Sequence, residues 1–383
     1  MLEYEISTYF KASSTQIRIM YKTILAKALI CTLLLVGCKS KEEKPSEAEA
    51  QQFAASISKD ASDRQINFLE KNIVLPALMD RMYELDEIKK LKASRSGMEK
   101  GVEQGLKKHN YEKTLFETLG NNGTFQLVKL YEKDGKRRSI FRAFGSGGLN
   151  YFDMELTKVD NKVGIADMLV YTTGENISRS MAEISEKIFS AGTTSQDQIG
   201  PALINIKRHL ASEDFESAKA EYDRLPQSLK NTKLLESVYL SILPNLSGTE
   251  NQAEMERIEK KYAADPNSQL MLIDIYIARK DYDKTLAAVD VMDKNINKDP
   301  FLDYYRGLIH NLNGKSEEAI AHFEKVAAAM PDFADNYAEL FAHHAKENNK
   351  EKAKQYFAAY KKLKQRDPEV VSYYETEYPY LAE

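Results

Sequence analysis

The spacing of apolar residues changes character three times along the chain. Residues 28–37 are uncharged and mostly apolar. Helical spacing follows. Phe53, Ala54 and Ile57 share one face within 47–58, and Ile66, Leu69, Ile73, Leu75, Leu78, Met82 and Leu85 form a stripe through 63–85, broken at Pro76. A weaker helix is expected over 97–109. Alternation then takes over, with strands expected at 125–132, 138–144, 149–159 and 163–172. Asn121-Asn122-Gly123, Asp134-Gly135, Gly145-Ser146-Gly147-Gly148 and Asp160-Asn161 supply the turns. This order predicts an α+β domain over 51–190, with helices packed on one face of an antiparallel four-stranded meander. From 198 to 383 helical spacing returns.

The last region carries an internal period. Asp265-Pro266 and Asp299-Pro300 lie 34 residues apart. Block 300–333 has Gly307 in its first helix, Gly314 at the turn, Ala319 and Phe323 in its second helix and Pro331 at its end. Small residues let two helices touch, and the Phe323 ring fills the space toward the next pair. The block resembles a tetratricopeptide repeat (TPR), a 34-residue helix–turn–helix. Block 334–367 keeps Tyr337, Leu340, Ala353 and Phe357 but has Phe341 at the small position. Block 266–299 keeps Tyr276 and Tyr282, with Ile273 and Thr285 at the small positions. Blocks 199–232 and 233–265 are more degenerate, and 368–383 should cap the stack. The expected fold is an α+β domain followed by an all-α TPR-like helical solenoid. Helices followed by a curved meander are also similar, in pattern alone, to the cystatin-like or nuclear-transport-factor-2-like cone fold.

What the TPR resemblance implies is binding. Leu270, Asp274, Ile277, Tyr304, Leu308, Asn311 and Lys346 fall at groove-facing positions, a mixture suited to an extended peptide or a partner helix.

The first regime has its own reading. From Met20, Lys22 and Lys27 precede the apolar run, which ends in Leu35-Val36-Gly37-Cys38. This resembles the lipobox of bacterial lipoproteins, so that 20–37 is a signal peptide, cleavage follows Gly37, and Cys38 carries the lipid through its sulfur. Residues 1–19 open with Glu3 and Glu5, unlike a leader, and are expected to be an upstream extension. Residues 38–50 should form a charged tether. Lys39 after the lipidated Cys is not the Asp of inner-membrane retention, so the expected place is the outer membrane of a Gram-negative bacterium.

Composition narrows the chemistry. The first 37 residues hold four Lys/Arg and two Asp/Glu, so their removal moves the net charge from −4 to −6 over 346 residues. With no basic block, nucleic acid is not the expected partner. With Cys31 removed and Cys38 acylated, no thiol remains for a disulfide or a metal. His209, His310 and His344 fall at one repeat position, about 10 Å apart in successive pairs, whereas zinc ligands sit about 2 Å from the metal; packing is their expected role, and no cofactor is expected. Gly145–Gly148 lacks the Gly-Lys-Ser/Thr ending of a phosphate loop and reads as a flexible turn. Asp167 stands in an apolar row with Val163, Ile165, Leu169 and Tyr171. It is either a pocket acid near Arg142 or Tyr151, or a structural partner within the sheet. Two functions follow: a membrane-anchored, non-enzymatic scaffold binding an envelope protein through its TPR groove, or a small-ligand-binding or enzymatic α+β domain with accessory repeats.

Overall fold

A computed structural model describes residues 41–91, 94–109, 111–191 and 196–382. The leader, Leu35, Gly37 and Cys38 lie outside the described residues. The charged segment expected to be a free tether is held from Glu42 onward. Glu42 pairs with Arg81, Glu43 exchanges two backbone hydrogen bonds with Lys158, and Lys44 pairs with Glu132. Helix α1 (Glu47–Ser62) starts early because Ser46 and Glu49 form a reciprocal capping box.

The stripe over 63–85, expected to break at Pro76, is interrupted before it instead. Leu69 and Phe68 are buried in a turn, Ile66 is exposed, and α2 (Leu75–Tyr83) carries Pro76 in its first turn rather than breaking there. Proline at the first turn has no partner to lose, so it initiates. Short α3 (Asp86–Lys89) and then α4 (Arg95–His109) follow. Helix α5 (Tyr111–Leu119) was not expected.

The sheet has five antiparallel strands in sequential order, not four: β1 (Thr124–Lys133), β2 (Lys136–Gly145), β3 (Gly148–Val159), β4 (Lys162–Val170) and a two-residue β5 (Glu175–Asn176). Two residues are too few to show a period, which hid β5. Asp134-Gly135 and Asp160-Asn161 all take positive φ, as two-residue hairpin turns require. The glycine turn between β2 and β3 is packed rather than loose. A side chain at Gly145 or Gly147 would collide with the backbone of Leu119 or Thr118 at the end of α5.

Helices were expected on one face of the sheet, but both faces are covered. On one face Phe125, Phe141, Phe152, Met154 and Ile165 pack with Ala50, Phe53, Ile57, Leu115 and Leu119 of α1 and α5. On the other, Ile140, Leu149, Tyr151, Leu169 and Tyr171 join the hydrophobic core of the C-terminal helices. That second face is too apolar to stay in water. Helix α6 (Ile177–Ala191) leads out of the sheet region.

Five helix pairs follow. They are α7 (Gln196–Ala211) with α8 (Phe215–Asp223); α10 (Lys233–Leu240), after the one-turn α9 (Gln227–Lys230), with α11 (Thr249–Tyr262); α12 (Gln269–Ala278) with α13 (Tyr282–Ile296); α14 (Phe301–Leu312) with α15 (Ser316–Ala329); and α16 (Ala334–Lys346) with α17 (Lys350–Lys362). Helix α18 (Pro368–Glu377) closes the stack against Phe341 through Tyr374. In the fourth pair, a Cβ on Gly307 would run into the Phe323 ring, so the helix contact needs glycine. Helix α12 is buried over most of its circumference (Leu270, Met271, Leu272, Ile273, Ile275, Tyr276), with Asp274 and Ala278 left exposed.

Candidate functional site: the concave wall of the helix pairs

The first helices of successive pairs form one wall, and the sheet lies against its middle. Phe144 of β2 sits 4.7 Å from the Phe301 ring, 5.8 Å from Phe333 and 6.1 Å from Tyr304. Below this aromatic cluster runs a buried polar lock. Arg142 Nη1 donates to both carboxylate oxygens of Asp299 at 2.7 Å, and its guanidinium lies 4.4 Å from the Phe301 ring centroid. Tyr151 donates its hydroxyl to Asp299 at 2.8 Å, and Gln126 accepts from Arg142 Nη2. The Phe301 N–H also donates to Asp299, fixing the carboxylate at the start of α14. Every oxygen of Asp299 is occupied, which is what a buried charge requires.

A second contact lies at the β4–β5 turn. Gly174 packs on Asn267 and Ser268, just before α12. Lys233 donates to the Gly174 carbonyl at 2.8 Å and pairs with Asp265. Glu175 is buried beside this junction, accepting from Ser180 Oγ at 2.6 Å, and burial pushes its pKa up to about 7.

The predicted groove residues therefore divide. Leu270 and Tyr304 are buried, and Ile277 and Leu308 are half-buried, all within the core that includes the sheet. Asp274, Asn311 and Lys346 remain exposed, as does Leu312 at 57%. The wall is covered over most of the third and fourth pairs and open at Asp274, at the C-terminal end of α14 and at Lys346 of α16. Past Tyr304 it continues with Asp335 and Glu339, one turn apart on α16. The sequence reading did not single these out. Asp335 is exposed and Glu339 half-buried; desolvation by the surrounding protein raises both pKa values, Glu339 further through the charge of Asp335.

Asp167 has no pocket role. Its carboxylate accepts from Ser178 Oγ (2.6 Å), the Ser178 N–H (3.1 Å) and the Met168 N–H (2.8 Å), tying β4 to the first turn of α6. Arg142 and Tyr151, its candidate partners, are committed to Asp299. The histidines pack as ring neighbours: His310 stacks on His322 at 5.3 Å and His344 on Tyr356 at 5.6 Å. Among the described residues, no group of three His, Cys, Asp or Glu side chains could hold a metal ion.

No family model matches the chain, and no curated protein does. Among solved structures, the chain is similar to a thermophilic TPR protein from Thermus thermophilus. The identity is 13%, and the match covers 48% of this chain and 97% of that one, with a TM-score of 0.33. So loose a superposition adds nothing to what the helix pairs themselves display.

Proposed function

We propose that the protein is a non-enzymatic scaffold, anchored by acylated Cys38 to an envelope membrane, that holds a polypeptide partner on the open stretch of its concave wall. The observation that carries this reading is the division of the wall: helix pairs stacked into one surface, closed by the sheet in the middle and left open at Asn311, Leu312 and Lys346. Exposed leucine beside amide and charged groups suits an extended chain. The anchor rests on the order of Lys22, Lys27, the apolar run and Leu35-Val36-Gly37-Cys38. If Cys38 is the acylated N-terminus, only four peptide units separate it from Glu42, which is fixed to Arg81. At most about 14 Å of chain could then lie between anchor and folded body.

Mass spectrometry of native protein extracted from membranes tests the anchor. A mature N-terminus at Cys38 with added acyl mass supports it, and an unmodified chain from Met1 overturns it. For the scaffold, a photo-crosslinker replaces Asn311 in the full-length protein in intact envelopes. A discrete polypeptide adduct is expected, and its absence counts against the reading. The bait must be the whole chain, because an isolated 198–383 fragment would bare Phe301, Tyr304 and Phe333 and become adhesive for the wrong reason.

A further inference from the structure

Three contacts fix the place where the chain enters the folded body. Arg81 Nη1 and Nη2 donate to the Glu42 carboxylate at 3.0 and 2.8 Å, and Lys44 pairs with Glu132 at 2.9 Å. Glu43 and Lys158 exchange backbone hydrogen bonds at 2.9 and 2.8 Å, forming an antiparallel bridge on β3. In an antiparallel pair one segment falls in number as the other rises. From Glu43 down to Lys41 the chain therefore runs past Lys158 toward Asp160-Asn161 and off the end of the sheet. The β1–β2 and β3–β4 turns lie together at that end, as alternate turns of a meander do. The β2–β3 turn lies at the opposite end, where the Gly147 N–H donates to the Thr118 carbonyl of α5 at 2.7 Å.

Two lengths follow. With Cys38 acylated, the link from lipid to Glu42 is at most about 14 Å of chain. A free tether would let the body turn in any direction, whereas a link this short, pinned at Glu42, Glu43 and Lys44, keeps one end of the sheet at the lipid. The second length is that of the strands. Leu149, which pairs with Phe144, and Val159 stand ten residues apart on β3, which spans about 33 Å at 3.3 Å per residue. Phe144 is where the sheet meets Phe301, Tyr304 and Phe333 of the wall. The anchored end and the end that carries the wall are thus opposite ends of one hydrogen-bonded element, packed on both faces. At the anchored end Lys133, Asp134, Lys136, Asp160 and Lys162 are exposed. Charges of both signs suit contact with zwitterionic headgroups rather than insertion among acyl chains.

We propose that the β1–β2 and β3–β4 turns lie against the lipid headgroups, so that the sheet is a strut holding its Phe144 contact with the concave wall about 30 Å above them. This rests on the anchored-scaffold reading and adds to it a second interaction surface, the hairpin end of the sheet, whose partner is the bilayer itself.

The test uses full-length protein, made with its leader and extracted from membranes, carrying Lys162→Cys at the anchored end or Ser146→Cys at the far end. Both positions are exposed, and with Cys31 removed and Cys38 acylated the introduced thiol alone takes a fluorophore. The labelled proteins are placed in phosphatidylcholine vesicles containing a lipid with a nitroxide on its headgroup, which quenches only near contact. Loss of fluorescence is expected at position 162 and little at 146, because a strand length of about 33 Å separates the two ends. Equal loss at both positions, or greater loss at 146, overturns the proposal. A second variant inserts about twenty Gly/Ser residues between Ser40 and Lys41, adding roughly 25 Å of reach. Most of the loss at 162 should then disappear, and undiminished loss would overturn the short link as its cause. Mass spectrometry of the same samples separates the two readings. A chain without acyl mass at Cys38 removes the anchor and this inference with it. Acyl mass with equal loss at both positions overturns the orientation alone and leaves the anchored scaffold standing.

Discussion

Two neighbouring stretches of one wall handle charge in opposite ways. Where the sheet covers α14, a single buried carboxylate, Asp299, is met by Arg142, Tyr151 and a backbone N–H. One pair further on, exposed Asp335 and half-buried Glu339 of α16 have no cation paired with them among the described residues. Exposure accounts for Asp335, but half-buried Asp293 is matched where half-buried Glu339 is not. In this closed interface the partner is present and both carboxylate oxygens of Asp299 are satisfied, although Arg142 Nε stays buried without a hydrogen bond among the described residues. On the scaffold reading proposed above, an open surface stays unsatisfied until its partner arrives. Complementarity thus separates a finished contact from a waiting one.

The sharpest way to break this comparison is to unbalance the closed side. Asp299→Ala would leave the Arg142 guanidinium buried without its anion and the Tyr151 hydroxyl without an acceptor. Breaking a buried pair from one side costs about 3–5 kcal/mol, and denaturant unfolding of the full chain should show a loss of that size. Replacing both partners, Arg142→Met with Asp299→Leu, should recover most of it, since the uncompensated charge is then gone. If the single variant unfolds like the parent, the lock does not hold the sheet to the wall.

That lock was invisible in the sequence. Arg142 and Asp299 stand 157 residues apart, and no local spacing connects them. What was legible was periodic. Gly307, Ala319 and Phe323 announce a helix pair because packing demands small and large residues at fixed intervals, and Asp134-Gly135 announces a hairpin because few other residues accept positive φ so readily. A clue to the covered wall was also present. The row Ile140, Leu149, Tyr151, Leu169 and Tyr171 is too apolar for a solvated sheet face, and the run from Leu270 to Tyr276 is too apolar for a helix with one open side. Asp335 and Glu339 escaped notice because an acid near the start of a helix is ordinary in sequence. Only the lack of a cation around them sets them apart.

A smaller effect belongs to the second contact of the closed side. Glu175 has a folded-state pKa raised from 4.5 to about 7 by burial. Its contribution to stability is therefore full below about pH 4.5 and is lost as pH rises through 7, amounting to about 2–3 kcal/mol at alkaline pH. Glu175→Gln keeps an acceptor for Ser180 without the charge. The variant should exceed the parent in stability at pH 8 and converge with it near pH 5. The difference between the two proteins cancels the opposite trend from His310, His343 and His344, whose lowered pKa values cost stability on acidification. A constant difference across that range would mean that Glu175 is not titrating in the fold.

The smallest change sharpens the open side. Neutralising Asp335 and Glu339 removes a like-charge pair one turn apart, screened by solvent at the exposed Asp335, so a gain of a few tenths of a kcal/mol is expected. Asp335→Asn/Glu339→Gln should therefore raise the melting temperature at neutral pH, and the gain should shrink on acidification as the parent's own carboxyls take up protons. Substitutions at a finished contact lower stability, as Asp299→Ala does. Substitutions that raise stability mark residues that the fold itself does not need. If the double variant is instead less stable than the parent, the two carboxylates already have a structural task, and the distinction between the two stretches of wall collapses.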